Sequence, residues 1–287
     1  MKQSRFMSSR ILMLVVCLFL AGLIVTLAQE TTPEPQPDTP DLYDVEILVP
    51  QIIASFPHDS SSFTQGLLLH EDGFFYESGG GSAAYGNQSS LRQVDPITGE
   101  VIRQVDIRDD IFAEGLALVD DRLIQLTWRN QAAIVYDLAT FEPTGIFQYS
   151  GEGWGLCYDG TNLYMSDGSG NITVRDSETF QPINFITVTL FDLPTDELNE
   201  LECVDDYIYA NVWNTDTILR IDKFTGVVDG VIDASGLLTP EERADLQSGQ
   251  VLNGIAYNPE TGNFYLTGKE WSQLFEVTLV PRESVGE

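Results

Sequence analysis

Basic residues and histidines are scarce in this sequence. It has 14 lysines and arginines against 44 aspartates and glutamates among 287 residues, for a formal net charge of −30. Binding to nucleic acid or to an anionic membrane surface requires clusters of basic residues, so this composition argues against both partners. The two histidines, His58 and His70, and the scattered cysteines lack zinc-ligand spacing. Both histidines lie in loop-like or strand-end segments, which also argues against a Ser-His-Asp arrangement.

Cysteine is equally rare. Cys17 lies in the N-terminal apolar run, so the segment expected to fold contains only Cys157 and Cys203. Two cysteines do not make a disulfide framework. The favoured interpretation is a pair of buried core thiols, because free cysteine packs as a small hydrophobic residue. A single disulfide between neighbouring strands is also compatible with the sequence.

Only one long apolar run is present, at the N-terminus. Ile11 to Ala28 are apolar or small, and basic residues precede them. This pattern predicts a signal peptide or an uncleaved membrane anchor over 1–28. A Pro-rich acidic linker over 29–44 and a folded domain over 45–287 follow. The domain is therefore expected outside the cytoplasm, with membrane contact only through the N-terminal segment if it is not cleaved.

Helical periodicity is almost absent after residue 45, and short β-rich runs repeat instead. Five segments begin alike with a polar or aromatic residue, an apolar strand, an Asp/Gly/Asn-rich turn and a second strand; their starts are at 65, 114, 154, 199 and 253. A third strand follows in each. The 40 to 54 residues between starts are close to the length of a propeller blade. We therefore predict an all-β, five-bladed propeller. The strand-like segment 45–56 would complete the last blade, which lacks its fourth strand.

The repeat register predicts a functional site at one mouth of the central channel. The first residues of the five repeats form one ring, and the residues that end the second strands lie beside it. Together these two sets supply Gln65, Glu114, Trp154, Asn199, Asn253, Trp128, Trp213 and Lys269. Three indoles, a carboxylate and an ammonium group that converge on one rim indicate a binding or catalytic site, not merely a plug of the channel.

Nine motifs carry a family resemblance from about Ser55 to Val277: "FPHDSSSFTQGL", "YGNQSSLRQVDPITG", "FAEGLAL", "QLTW", "GEGWGL", "LNELE", "YANVW", "VLNGIAY" and "TGKEW". Each motif alone is weak, but the ordered set closely resembles the plant and bacterial glutamine cyclotransferases. The resemblance implies a five-bladed propeller, without cofactor or metal, that converts the N-terminal glutamine of peptides or proteins to pyroglutamate. It also carries functional residues onto this sequence, and it adds Phe63, Phe112 and Gln125 to the residues given by the register.

The chemistry of that reaction fits these residue types. The substrate's α-amine attacks the γ-carbonyl of its own glutamine, and ammonia leaves. Glu114, desolvated beside indoles, is expected to have a raised pKa and to shuttle the proton. Lys269 and Asn199 are the other expected catalytic residues. Substrate binding is expected from Phe63, Gln65, Phe112, Gln125, Trp128, Trp154, Trp213 and Asn253.

The sequence leaves two alternative functions open. One is a non-catalytic propeller that binds peptides at the same mouth. The other is a calcium-dependent lactonase-like propeller, in which Glu114, Asn199 and Asn253 would be oxygen ligands. A calcium site has no use for three indoles and a lysine, and a binding module has no need of a lone desolvated carboxylate.

Overall fold

The computed structural model describes residues 45–81 and 88–282. The predicted leader (1–28) and linker (29–44) lie outside these residues, as does most of the loop at 80–88. Within the described part, no helix is both long and apolar enough to cross a membrane. The expected all-β class is confirmed, since one six-residue helix is the only α-helix that the described residues contain.

The described residues form 22 strands and one helix. In chain order they are β1 (Glu46–Pro57), β2 (Phe63–Leu69), β3 (Phe75–Gly80), β4 (Ser90–Val94), β5 (Val101–Asp106), β6 (Ala113–Val119), β7 (Arg122–Thr127), β8 (Ala132–Asp137), β9 (Pro143–Gln148), β10 (Leu156–Tyr158), β11 (Asn162–Met165), β12 (Asn171–Asp176), β13 (Pro182–Thr187), β14 (Thr189–Leu190), β15 (Leu193–Pro194), β16 (Leu198–Val204), β17 (Tyr207–Val212), β18 (Thr217–Asp222), β19 (Val228–Asp233), β20 (Leu252–Asn258), β21 (Asn263–Gly268) and β22 (Gln273–Pro281). The helix α1 (Pro240–Asp245) lies between β19 and β20.

Most of these strands form antiparallel groups of four. Three such groups are separate sheets, in the orders β2-β3-β4-β5, β6-β7-β8-β9 and β10-β11-β12-β13. An eight-stranded sheet has the order β16-β17-β18-β19-β1-β22-β21-β20, and β14 pairs with β15. The eight-stranded sheet is two groups of four, joined where β1 runs parallel to β19.

The N-terminal strand β1 supplies the fourth strand of the last group. It pairs antiparallel with β22, from Leu48 opposite Pro281 to Pro57 opposite Gln273. This confirms the expected pairing of 46–55 with the last strand. A segment from the start of the domain thereby covers an edge that the C-terminal repeat leaves unpaired, so this edge is not open to pairing with another chain.

Hydrophobic packing joins the groups in cyclic order. Strands alternate their side chains between two faces. One face of each group packs against the preceding group, and the other face packs against the following group. The cluster that contains Leu67, Phe75 and Tyr265 joins the first group to the last. The other four clusters of the described residues join consecutive groups. The first strands, β2, β6, β10, β16 and β20, therefore meet around a common centre.

Repeated Asp-Thr turns close the third and fourth strands of the first four groups. Asp95 Oδ1, for example, accepts hydrogen bonds from the backbone and hydroxyl groups of Thr98. Asp137, Asp176 and Asp222 do the same for a threonine three residues later. An aspartate that accepts bonds from its own turn stabilises the turn locally, so these motifs are structural, as their sequence indicates.

The polar stretch 239–250 forms the helix α1 on the surface between the fourth and fifth groups. Thr239 and Glu242 make a reciprocal capping box, and Pro240 occupies the first turn. These are sequence-local signals for a helix start. None of its residues is buried.

A disulfide joins Cys157 on β10 to Cys203 on β16. The favoured interpretation of two free core thiols is therefore wrong. The two residues lie on the first strands of the third and fourth groups. Neighbouring first strands bring their Cα atoms to 5.5 Å, within the range that a disulfide spans. The bond adds a covalent link to two groups that also meet through packing, hydrogen bonds and the Lys223–Asp159 ion pair.

Replacing Cys157 and Cys203 together by serine is expected to lower the free energy of unfolding by about 4 kcal/mol. A crosslink across a separation of 46 residues restricts the unfolded chain by roughly this amount in the chain-entropy account. Urea denaturation with and without reductant measures the loss. The reductant should destabilise the wild type and leave the double variant unchanged. A loss below about 1 kcal/mol would contradict this expectation.

Candidate active site

A cavity of about 210 Å³ opens at the centre of the ring of first strands. It is smaller than the roughly 300–1,000 Å³ of pockets for drug-sized ligands, and its size suits a group such as a single side chain. Its lining residues come from all five groups: Phe63, Gln65, Phe112, Glu114, Trp128, Trp154, Asn199, Trp213 and Lys269. The structure therefore brings together nine of the eleven site residues that the sequence predicts.

The polar lining residues are buried, and β-bulges aim them. Gln65, Glu114 and Asn199 are 4%, 5% and 2% exposed. Each lies at a register shift in the pairing of its strand, in β2, β6 and β16 respectively. A bulge bends a strand and redirects a side chain, and such bulges are common at active sites. Here they turn three polar side chains toward the channel, where alternation alone would not place them together.

Aromatic side chains surround this polar floor. Phe63 and Phe112 contact edge to face with centroids 6.0 Å apart, and Phe112 contacts Trp128 at 5.9 Å. Trp154 contacts Trp213 edge to face at 5.6 Å. These five residues, which we call the aromatic rim, are less buried than the polar residues. The cavity is therefore polar at its floor and apolar at its walls.

Gly155 and Gly168 make room for Trp154. A Cβ on Gly155 would collide with the backbone of Asn199, which lies on the neighbouring first strand. Gly168 has a φ of +82°, and a Cβ there would approach the Trp154 indole to 2.7 Å. Glycine is the residue that tolerates both close approach and positive φ. The glycines around Trp154 thus permit strand crowding and indole placement, and they do not form a phosphate loop.

Glu114 and Lys269 are both buried, and the charge of each one affects the pKa of the other. Burial raises the pKa of Glu114 well above its usual value; the Lys269 cation opposes this, and the Glu152 carboxylate adds to it. Burial also lowers the pKa of Lys269 to about 8, against the opposing effect of Glu114. The Lys269 ammonium lies 5.0 Å from the centroid of the Phe63 ring. Groups whose pKa values move toward neutrality suit proton transfer.

Asn199 offers an acceptor to a ligand. Its Oδ1 atom is buried and has no hydrogen-bond partner within the described part of the chain. A buried acceptor without a partner costs free energy in the unliganded protein. A donor on the ligand would relieve that cost, so Asn199 Oδ1 is placed to receive an N–H group.

Two predicted binding residues do not line the cavity. Gln125 donates from its amide to Ser78 and to the Ser90 carbonyl, and Tyr136 donates to it. These bonds hold it fully buried between the first and second groups. We correct its role from substrate contact to support of the strands that carry Glu114.

Asn253 likewise stands behind the lining. It donates to the Thr64 carbonyl at 2.9 Å and to Gln65 Oε1 at 3.3 Å. It therefore orients Gln65 and leaves the Gln65 amide N–H groups to donate into the cavity. Its predicted contact with substrate is corrected to a contact with Gln65.

Neither histidine lines the cavity. His58 is buried against Glu77 and the Trp271 carbonyl, and His70 faces Asp72. No group of three or more His, Cys, Asp or Glu residues in the described ranges is arranged to hold a metal ion. The oxygen ligands of the calcium alternative are dispersed, because Asn253 does not reach the cavity.

Replacing Trp154 by alanine is expected to raise KM about tenfold with little loss of stability. The half-buried indole is a cavity wall, and loss of aromatic stacking is worth about 1.5 kcal/mol or less. Trp271, 2% exposed and outside the cavity, is the matched control: its replacement should cost the roughly 3–5 kcal/mol of a core tryptophan. Melting temperature and steady-state kinetics of both variants decide the point. A large stability loss for Trp154→Ala with unchanged KM would make Trp154 a core residue.

The fold and this cavity together define a class of protein: an all-β protein with a buried glutamate and lysine in a cavity at the centre of a ring of strands. The chain matches the glutamine cyclotransferase description over residues 20–279. It is 36% identical over 234 residues to a glutaminyl-peptide cyclotransferase of Arabidopsis thaliana, which covers 80% of this chain and 71% of that protein. The crystal structure of Myxococcus xanthus glutaminyl cyclase superposes with a TM-score of 0.77 at 39% identity, covering 83% of this chain and 100% of that one.

The chain belongs to the glutamine cyclotransferase family.

Proposed function

We propose that this protein is a glutaminyl-peptide cyclotransferase, an aminoacyltransferase that acts on peptides or proteins with N-terminal glutamine. Family membership supports the activity. The observation that carries it to these residues is the buried Glu114–Lys269 pair inside a cavity of side-chain size. The five groups of four strands are, on this proposal, the blades of a five-bladed propeller that β1 closes.

The first step forms the ring. The α-amine nitrogen attacks the γ-carbonyl carbon, and the carbonyl oxygen becomes an oxyanion. The Glu114 carboxylate accepts a proton from the amine, while Asn199 Oδ1 holds the other amine N–H. The Lys269 ammonium and the Gln65 amide donate to the oxyanion. Such preorganised donors in a water-poor site stabilise developing charge far better than water does.

The second step releases ammonia. Protonated Glu114 returns its proton to the amide nitrogen, the carbon–nitrogen bond breaks, and the carbonyl re-forms as the lactam. One carboxyl thus serves as base and then acid, which requires a pKa near the working pH. The aromatic rim packs on the flat amide and excludes water, which would otherwise hydrolyse the amide to glutamate. No residue forms a covalent intermediate.

The leader, the linker and an extracytoplasmic location remain part of the same proposal. The apolar run at 11–28 and the disulfide support it, since disulfides persist in oxidising compartments. Metal independence is also proposed, on the ground that the acid–base and donor groups of the mechanism are all side chains.

Ammonia release from a short peptide with N-terminal glutamine tests the proposal. Mass spectrometry should show loss of one ammonia per peptide, and the same peptide with an acetylated α-amine should not react. The rate should be equal with and without a chelator. Binding without product would favour the peptide-binding alternative, and a rate that needs calcium would favour the lactonase-like one.

A further inference from the structure

One carboxylate ties two walls of the cavity together. Glu152 lies in the loop between β9 and β10, two residues before Trp154. Its Oε2 atom accepts a hydrogen bond from Trp128 Nε1 at 2.7 Å and another from Trp154 Nε1 at 3.0 Å. Trp128 follows the second strand of the second group, and Trp154 precedes the first strand of the third. The Glu152 carboxylate therefore bridges two groups across the aromatic rim.

Arg129 holds this carboxylate from the other side. Arg129 Nε donates to Glu152 Oε1 at 2.9 Å, and the guanidinium lies 3.7 Å from the centroid of the Trp128 ring. Partial burial opposes ionisation of Glu152, but the bonds from Trp154, Arg129 and Trp128 keep its pKa below the usual value. Glu152 is thus a carboxylate at neutral pH, with both oxygens engaged. An indole N–H held by a carboxylate has one preferred orientation, which a half-exposed tryptophan otherwise lacks.

Glu152 also acts on Glu114 through space. The charged groups that face Glu114 are Lys269, on the turn after β21, and Glu152, on the loop after β9; the Tyr149 hydroxyl also senses its charge. The Glu152 carboxylate makes ionisation of Glu114 less favourable. A negative charge outside the cavity therefore shifts the acid–base balance of the residue inside it.

We propose that Glu152 is a positioning residue of this site: its carboxylate accepts hydrogen bonds from both indoles and thereby fixes Trp128 and Trp154 as one wall of the cavity. This proposal rests on the proposed function for its kinetic consequences, but the wall itself is a property of the unliganded protein. Glu152 touches neither the floor of the cavity nor the reacting atoms of the mechanism. It acts through the two indoles and through its charge.

The wall is tested without substrate by acrylamide quenching of tryptophan fluorescence. The protein has four tryptophans; Trp271 is buried elsewhere, so quenching reports mainly on the aromatic rim. Glu152→Ala should increase the quenching constant about twofold, because both indoles lose their acceptor. Glu152→Gln keeps a carbonyl oxygen that accepts from both and should stay near wild type. Equal quenching in all three proteins would overturn the proposed wall.

Steady-state kinetics separate the effect of Glu152 on the placement of the two indoles from the effect of its negative charge on Glu114. Glu152→Ala should raise KM about tenfold with a smaller change in kcat, and Glu152→Gln should restore most of the KM. Both variants lose the charge that raises the Glu114 pKa. That pKa then falls, so the acid limb of the kcat/KM profile should move to lower pH in both. Glu178→Ala removes an exposed carboxylate that pairs with Arg122 at the far ends of the strands; it should change neither KM nor the profile.

The outcomes distinguish the two levels of proposal. If the wild type does not cyclise N-terminal glutamine, the proposed function fails, while the quenching result still decides the wall. If the wild type is active but Glu152→Ala keeps its KM within twofold and its acid limb in place, Glu152 has no positioning role. A fall in melting temperature alone would mark it as structural only.

Discussion

Glu114→Gln is expected to reduce kcat by about 10²- to 10⁴-fold, the usual loss when a general acid–base group is removed. Glutamine preserves the size of the side chain and cannot accept the amine proton. Because burial already raises the pKa of Glu114 well above its usual value, the neutral amide resembles the protonated form that the fold accommodates. The melting temperature should therefore change little. Stopped assays of ammonia release, at saturating peptide, measure the loss.

Glu202→Gln is the matched control for this variant. Glu202 is another desolvated glutamate, with a pKa raised to about 8, and its Oε1 accepts from the Tyr257 backbone N–H. It lies on β16 but does not line the cavity. Its replacement should leave kcat within about twofold. If Glu114→Gln also stays near the wild-type rate, the proton passes through a different group, and the mechanism proposed above is wrong.

Repetition made most of this fold predictable from sequence. The alternation of apolar strands and Asp/Gly turns recurs five times. An unclear strand boundary in one repeat can therefore be assigned from the other four. The last repeat lacks a fourth strand, and the segment 45–56 is strand-like and belongs to no repeat. Together these two features predict the pairing of β1 with β22. The rings of Gln65, Glu114 and Asn199, and of Trp128 and Trp213, followed from the same register, since equivalent positions meet around one centre.

What the register could not predict depends on distances between side chains. Gln125 has the residue type of a binding group, but its hydrogen bond to Ser78 arises from the packing of two groups. Cys157 and Cys203 stand one position apart in the register, and the register does not specify how closely their two strands approach. Glu152 stands two residues before Trp154 in the "GEGWGL" motif, and this spacing only weakly indicates a contact between the two side chains. Its bond to Trp128 has no sequence signature.

Lys269→Met is expected to lower kcat/KM by about 10²-fold and to change the shape of its pH profile. A methionine of similar length keeps the contact with Phe63 but removes a donor to the oxyanion, and loss of one such donor costs about 10²- to 10³-fold. The buried Lys269 ammonium also lowers the pKa of Glu114. Without it that pKa rises further, and Glu114 remains protonated to higher pH.

The sign of the shift follows from these two groups. Glu114 works as the carboxylate, so activity is lost as pH falls through its raised pKa; in Lys269→Met this acid limb should move to higher pH. Lys269 works as the cation and has a pKa of about 8, so the wild type should lose activity as pH rises through that value, whereas the variant should not. The α-amine of the substrate has the same pKa in the assays of the wild type and of Lys269→Met, so it does not cause a difference between their pH profiles. Lys223→Met, which removes a cation paired with Asp159 outside the cavity, should keep both limbs. An acid limb that stays in place in Lys269→Met would mean that Lys269 and Glu114 do not act as a coupled pair.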